Sequence, residues 1–371
     1  GCRRRPVFPP PPPPHSPSPL RPPPPRGLAS GLNTPNRFEP LHLEPDPLVP
    51  DTEEAHRPTP TQYFVDSSRS ILAENNSPDV GFRFSVNPYR GCEHGCIYCY
   101  ARPSHEYLGF SAGLDFETRI LVKENAPELL ARAFRKKSWH PQVVAMSGNT
   151  DCYQPVERRL KITRRCLEVF LQFRNPVTII TKNHLVTRDL DLLGELASLH
   201  LVHVTLSITS LRRELTAAME PRTSRPEQRL KAIESLARNG VPTGVNVAPL
   251  IPGLNDEEIP AILQAASERG ANSANYLLVR LPGAVRPLFL DWLQRQLPDR
   301  AGKIIHRLRS VRNGRLDDSR FGTRMRGEGE MSDLVANLFH LARRKYGLHG
   351  NDRELTTEHF RRAGDGQLEL F

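Results

Sequence analysis

Three cysteines, Cys92, Cys96 and Cys99, stand at C-x3-C-x2-C spacing within Gly91-Cys92-Glu93-His94-Gly95-Cys96-Ile97-Tyr98-Cys99-Tyr100-Ala101-Arg102. Tight loops at this spacing let three thiolates point at one centre, and Gly91 and Gly95 relax the backbone around it. A disulfide framework does not fit: three is odd, and six cysteines in 371 residues fall far below the ~8–10% of a disulfide scaffold. A structural zinc site takes four ligands, and the fourth here would come from His94, His105, Cys152 or Cys166. A cubane [4Fe–4S] cluster held by three cysteines leaves one iron open to a further ligand. The spacing favours iron–sulfur and leaves zinc open.

The elements that must position this loop read as alternating strands and helices from about Tyr63 onward. Short apolar or β-branched runs predict strands at Phe84–Pro88, Val143–Met146, Val177–Thr181, Val202–Ile208, Thr243–Ala248 and Ala274–Val279. Between them, Asn125-Ala-Pro-Glu128 reads as a capping box, and Arg188–Leu199, Pro226–Arg238 and Glu257–Glu268 read as helices. Such repetition argues for a parallel sheet with crossover helices. Six units over about 220 residues suggest an incomplete barrel rather than an eight-fold one. Ser332 is the expected cap of a last helix, whose apolar face is Leu334, Val335, Leu338, Phe339, Leu341 and Ala342, with Gly347 as its stop.

C-x3-C-x-Tyr-C after a first strand resembles the signature loop of the radical S-adenosylmethionine (SAM) superfamily. Ser85-Val-Asn-Pro-Tyr-Arg-Gly-Cys92, Tyr100-Ala-Arg-Pro-Ser-His-Glu-Tyr107 and Arg320-Phe-Gly-Thr-Arg-Met-Arg-Gly-Glu328 are similar to its spore photoproduct lyase-like branch. The likeness runs from about Asn33 to Gly347. It implies that the α/β part is a partial (β/α)6 TIM-like barrel; the expected fold adds a C-terminal helical extension and, from the proline runs, a disordered Pro-rich N-terminal tail. It also implies a [4Fe–4S] cluster on Cys92, Cys96 and Cys99, with SAM chelating the open iron. Reductive cleavage of SAM then gives a 5′-deoxyadenosyl radical that takes hydrogen from a substrate.

The resemblance extends to the residues around SAM. Thr150 and Asp151, after the second strand, are expected to receive its ammonium, and Lys182 after the third its carboxylate. Ser207 assists there or at the ribose. Leu250 and Ile251 flank the adenine, with Tyr98 on the other side. Glu220-Pro-Arg222 is a recurring motif of the branch. The lyase itself carries a hydrogen-donating cysteine just before the acid that matches Asp151. Ser147, Gly148 and Asn149 fill that segment here, which points to a subgroup other than the lyase. Cys152 and Tyr153 are then candidates for a catalytic radical relay. A small buried hydrophobe is the plainer reading of Cys152, and of Cys166 in its helical surroundings.

Composition bounds the rest. The formal net charge is +10, which suits a polyanionic partner such as nucleic acid. Residues 303–326 hold eight Lys/Arg against Asp317 and Asp318, and Arg307, Arg309, Arg312 and Arg315 could line a phosphate groove. Aromatic interleaving there is confined to Phe321. Of the 36 prolines, 20 lie in the first 60 residues, including runs at 9–14 and 22–25 that cannot form a core. Gly1-Cys2-Arg3-Arg4-Arg5 is not followed by an apolar h-region, so the arm does not read as a secretory leader. The expected division is a tail over 1–60, the barrel over 61–300 and a basic extension over 301–371. No apolar run approaches the ~18–20 residues of a membrane span, and a cytoplasmic setting is expected. So is an electron donor such as a flavodoxin or ferredoxin. The rival functions are a DNA photoproduct lyase and a non-catalytic zinc or iron–sulfur module that binds nucleic acid.

Overall fold

A computed structural model describes residues 27–38, 60–350 and 355–362. The proline runs at 9–14 and 22–25 lie outside the described residues. The strands are β1 (Gln62–Val65), β2 (Leu72–Glu74), β3 (Phe84–Val86), β4 (Tyr89–Arg90), β5 (Arg119–Val122), β6 (Val144–Met146), β7 (Val177–Thr181), β8 (Val202–Ser207), β9 (Thr243–Leu250) and β10 (Ser273–Leu278). The helices are α1 (Leu114–Thr118), α2 (Ala126–Arg135), α3 (Glu157–Leu160), α4 (Ile162–Phe173), α5 (Leu190–Ser198), α6 (Arg213–Met219), α7 (Pro226–Arg238), α8 (Ile259–Ser267), α9 (Val285–Gln296), α10 (Pro298–Ser310), α11 (Thr323–Arg326) and α12 (Glu330–Lys345).

The main sheet has the order β10-β9-β8-β7-β6-β3-β2. Six of its strands run parallel, and β2 closes one edge antiparallel to β3. This is the partial barrel, with strands buried on both faces as crossover helices require. The six predicted strands sit within one or two residues of the observed ones. They are legible because their runs are apolar and end abruptly: β7 reads Val-Thr-Ile-Ile-Thr, with Val177, Ile179 and Thr181 buried. α7 matches its predicted span because Pro226 opens its first turn and Gly240, at φ 71°, ends the chain's helical path.

A second sheet, β1-β5-β4, was not visible in the sequence. Its strands are short, and β1 is exposed along its whole length, so no buried face patterns it. Its work is to carry the cysteine loop, which leaves directly from β4.

Five expectations change. Residues 27–38 fall inside the predicted tail, yet Ala29, Ser30 and Asn36 are buried against the start of the barrel. The boundary at 300 falls inside α10, because Ile304 and Leu308 share a core with Phe289 and Trp292. Asn125 makes no side-chain cap on α2. Ser332 lies inside α12 and donates instead to Arg326 O at 2.6 Å. Only Val335, Phe339 and Ala342 of that helix's apolar set are buried, while Leu334, Leu338 and Leu341 face solvent. Among the described residues no helix is long and apolar enough to cross a membrane.

Candidate active site

The cysteine loop passes from β4 into a turn over Arg102–Leu108. Gly91 (φ 77°) and Gly95 (φ 65°) adopt the left-handed conformation that glycine takes at little cost. A Cβ at Gly95 would stand 2.5 Å from Glu117 Oε2, so alanine has no room there. The loop folds on itself, with Gly95 N–H donating to Cys92 O (3.2 Å) and Cys99 N–H to Cys96 O (3.2 Å). Ile97 N–H donates to Met219 O at 3.0 Å and ties the loop to the end of α6.

Arg102, fully buried, holds the loop from behind. Its guanidinium donates to the carbonyls of Gly95, Cys96, Ala112 and Gly113 and pairs with Glu117 at 2.6 Å. Only a planar fork with five donors can serve that set. Glu117 also accepts the N–H groups of Ala29 and Ser30, which straps residues 27–38 to the loop. On the other side Gln154 accepts from Glu93 N–H (2.9 Å) and donates to Gly91 O (3.3 Å).

Cys92 and Cys96 are buried and Cys99 is partly exposed; all three are free thiols. Burial pushes the Cys99 thiol up to about 11, and the neighbouring Cys92 adds to the shift. Burial, with Glu220 adding, pushes Cys96 well above the ordinary thiol range. Three thiolates crowded here without a cation are costly, and a bound metal is what deprotonates such ligands. The donor set therefore fits an iron–sulfur cluster. Among the described residues no three His, Cys, Asp or Glu side chains are gathered into a cage for a single metal ion. A cubane asks for no such cage, since each thiolate holds its own iron.

The proposed fourth zinc ligands separate. Cys152 and Cys166 lie in the main hydrophobic core. His105 is buried with its ring against Phe110 and Phe116, and neither ring nitrogen has a hydrogen-bond partner. His94 is buried beside Cys92 and turned toward Asp151, with Nδ1 3.3 Å from Asp151 Oδ2. Its desolvation is outweighed by the charges of Asp151 and Cys92, which push it up to about 9.

Asp151 follows β6, and its carboxylate is fully used. Thr181 Oγ1 (2.7 Å) and Tyr153 N–H (2.9 Å) reach Oδ1; Lys182 N–H (2.8 Å) and His94 reach Oδ2. Burial opposes its ionisation, but His94 and these hydrogen bonds hold it below the ordinary carboxylate range. A carboxylate offers about four lone-pair sites, so a ligand's ammonium would have to displace one of these donors. Thr150 is likewise engaged, its hydroxyl donating to Tyr89 O at 2.9 Å.

Lys182, after β7, turns into the barrel. Its Nζ donates to Ala248 O (3.1 Å), lies 5.7 Å from the Tyr98 ring centre and 3.9 Å from Glu220. Burial pushes its ammonium down to about 8. One carbonyl leaves donors to spare, so a carboxylate ligand would find a desolvated cation here. Tyr98 donates to the Glu220 carboxylate, which also takes Thr209, Thr223 and Arg229. Ser207 ends β8, and its carbonyl accepts from Arg229 at 2.8 Å.

Leu250 and Ile251 are fully buried; Leu250 packs in the main core and Ile251 shares a core with Tyr98 and Cys96. Tyr153 is not turned toward the cysteines: its hydroxyl donates to Asp189 (3.0 Å), inside an ion cluster with Arg188 and Arg164. Cys152 is fully buried, with its carbonyl accepting from Thr163 at 2.6 Å. The phosphate-groove reading of 303–326 loses two arginines. Arg312 is buried and donates to Thr323 O and Val279 O, and Arg307 lies 3.7 Å from Asp256.

A model of the radical SAM superfamily matches residues 86–266, the span that carries the cysteine loop and β6 to α8. Over that span, just under half of its length, the chain is similar to the radical SAM superfamily. An uncharacterized protein of Mycobacterium bovis is 37% identical over 226 residues, covering 60% of this chain and 66% of its own. One from Methanocaldococcus jannaschii is 32% identical over 178 residues, covering 48% and 64%. The chain thus spans just under two thirds of the length of these relatives. Among solved structures, a spore photoproduct lyase variant aligns over 77% of this chain and 80% of its own, with a TM-score of 0.54 at 15% identity. Spore photoproduct lyase complexed with dinucleoside spore photoproduct gives 0.52 at 14%, over 76% and 79%. These likenesses concern the fold.

Sequence reasoning missed Arg102, Glu117, Gln154 and Asn183, whose Nδ2 lies 3.1 Å from His94 Nε2. Each acts through backbone or buried contacts with residues distant in the chain, which no local spacing encodes. Tyr100 directly follows the last cysteine of the loop. It is half-exposed, donates to Gly148 O at 2.8 Å, and faces Arg280 across its ring at 5.8 Å.

Proposed function

We propose that this chain is a radical SAM enzyme. Cys92, Cys96 and Cys99 would hold a [4Fe–4S] cluster, and Lys182, beside Tyr98, would receive SAM. When bound, this pair supplies reductive cleavage of the sulfonium C–S bond and a 5′-deoxyadenosyl radical. The observation that carries the reading is the joining of the cysteine loop to the strand ends: His94 meets Asp151 after β6, and Tyr98 stacks beside Lys182 after β7. Barrel chemistry sits at this end of the strands.

The chain's own residues then have distinct tasks. Lys182 neutralises the carboxylate of SAM. Asp151, saturated by protein donors, positions His94 and the Lys182 backbone rather than gripping the ligand alone. Glu220 fixes the Tyr98 ring. Arg102 and Glu117 keep the loop closed and exclude water from behind the thiols.

Nucleic acid is the substrate class we put first. Its support is the net charge of +10 and the fold shared with spore photoproduct lyase. Direct repair of the spore photoproduct is disfavoured, because Ser147-Gly148-Asn149 offers no thiol where that lyase keeps its donor. The working setting is cytoplasmic, with a low-potential carrier protein as reductant.

Anaerobic reconstitution with iron and sulfide tests the reading. A full complement of [4Fe–4S], whose reduced-state paramagnetic resonance changes on adding SAM, is the expected outcome. Tightly bound zinc with no iron–sulfur absorption would instead support the binding-module alternative.

A further inference from the structure

Beside the cysteine loop lies a basic and partly apolar face that the chemistry above does not use. β1 is the outer strand of the small sheet, and Val65 is 73% exposed, with Tyr63 at 40% and Phe64 at 39%. Exposed edges of this apolarity mark contact surfaces. Tyr63 donates to Glu93, the neighbour of Cys92, at 2.9 Å, and Arg159 sits over its ring at 5.2 Å. Arg158 and Arg159, on α3, are exposed. Among the described residues neither makes an ion pair.

Next to them opens a cleft of about 410 Å³, lined by Pro155, Arg158, Asn183, Arg222, Thr223 and Ser224. No carboxylate lines it, and the buried Nε of Arg222 has no partner. Its lining reaches the cysteine loop through Asn183. Asn183 Nδ2 lies 3.1 Å from His94 Nε2, and His94 is itself part of the cysteine loop, two residues from Cys92. A side chain that lines the cleft therefore touches the cysteine loop directly.

We propose that this face docks an acidic one-electron carrier protein, a proposal that rests on the enzymatic reading above. One electron leaves the carrier and enters the cluster; the carrier is oxidised by one and the cluster reduced by one, and no bond or proton moves. The arginine rim steers an acidic partner and sets its orientation. Tyr63 and Val65 supply the small apolar centre that a transient electron-transfer contact buries, below about 1,200 Å² in all. A nucleic acid fits less well, because Arg159 already covers the Tyr63 ring and a short path to Cys92 serves only electron entry.

The test uses the reconstituted full chain with an acidic flavodoxin as probe. Calorimetry at low and high salt reads affinity, and stopped-flow absorbance reads oxidation of the flavodoxin hydroquinone. Arg158→Glu combined with Arg159→Glu should weaken binding about tenfold or more at low salt and slow the oxidation by a similar factor. Added salt should weaken the wild type in the same way. Val65→Asp, an exposed change, should act in the same direction without charge reversal of the rim. In every variant the 5′-deoxyadenosine formed with dithionite should be unchanged, since dithionite needs no docking. Flavodoxin binding that ignores both salt and the reversals overturns the docking face. So does a double variant that keeps flavodoxin binding and loses oligonucleotide binding instead. A wild type that takes up zinc and shows no iron–sulfur absorption overturns the enzymatic reading itself.

Discussion

His94 Nδ1 lies 3.3 Å from Asp151 Oδ2, and this contact joins the cysteine loop to the end of β6. Both residues are buried or nearly so. Removing the carboxylate leaves His94, Thr181 and the Lys182 N–H without their acceptor. Asp151→Ala should lower stability by about 3–5 kcal/mol, as for one partner of a buried pair. It should also weaken SAM binding at least several-fold. Thermal unfolding and SAM titration check this; unchanged SAM affinity in a folded variant would remove Asp151 from the site.

The Arg102–Glu117 pair sits behind the thiols with no exposure on either side chain. Arg102→Lys keeps the charge and loses the fork that serves four carbonyls. The expected outcome is a loss of about 1–3 kcal/mol for a buried carbonyl left unpaired, together with poor retention of iron and sulfide on gel filtration. Gly95→Ala should give a similar loss of cluster, because its Cβ meets Glu117.

Much of the barrel was legible in the sequence because parallel strands buried on both faces are written as short, nearly continuous apolar runs. β6 and β9 show this, while α7 was legible through Pro226 and Gly240 at its ends. The cysteine loop was legible for a different reason: its ligands are close in sequence. Asp151 and Lys182 could be placed only through the family likeness, and Asp151's saturation by four donors was invisible to it. The small sheet, the strap at 27–38 and Arg102's grip depend on contacts across 6 to 88 positions. α12 shows the opposite error. Six apolar residues at helical spacing looked like one buried face, and half of them are exposed.

Glu220 receives Tyr98, Thr209, Thr223 and Arg229 in a fully buried site. Tyr98→Phe keeps the ring beside Lys182 and removes one donor. It should cost about 1–3 kcal/mol of stability with only a modest change in SAM affinity. Lys182→Met should do the reverse, leaving stability little changed or raised and weakening SAM binding about tenfold or more. Calorimetric SAM titration beside thermal unfolding separates the two.

His105 gives a pH dependence with a definite sign. Burial holds its imidazole at about 4, below the ordinary 6.5. The folded protein therefore binds fewer protons than the unfolded chain between those values. Its contribution is intact above pH 6.5 and is lost progressively as pH falls toward about 4, by up to about 3 kcal/mol. Denaturant unfolding at stepped pH should show this loss, and His105→Phe should flatten that segment of the curve.

The most direct measurement is chromatographic detection of 5′-deoxyadenosine after anaerobic reconstitution, with SAM and dithionite, for the wild type and for Cys99→Ala. Product from the wild type and none from the variant is the predicted result. Equal product from both proteins, or a wild type that binds zinc tightly and takes up no iron–sulfur cluster, would contradict it.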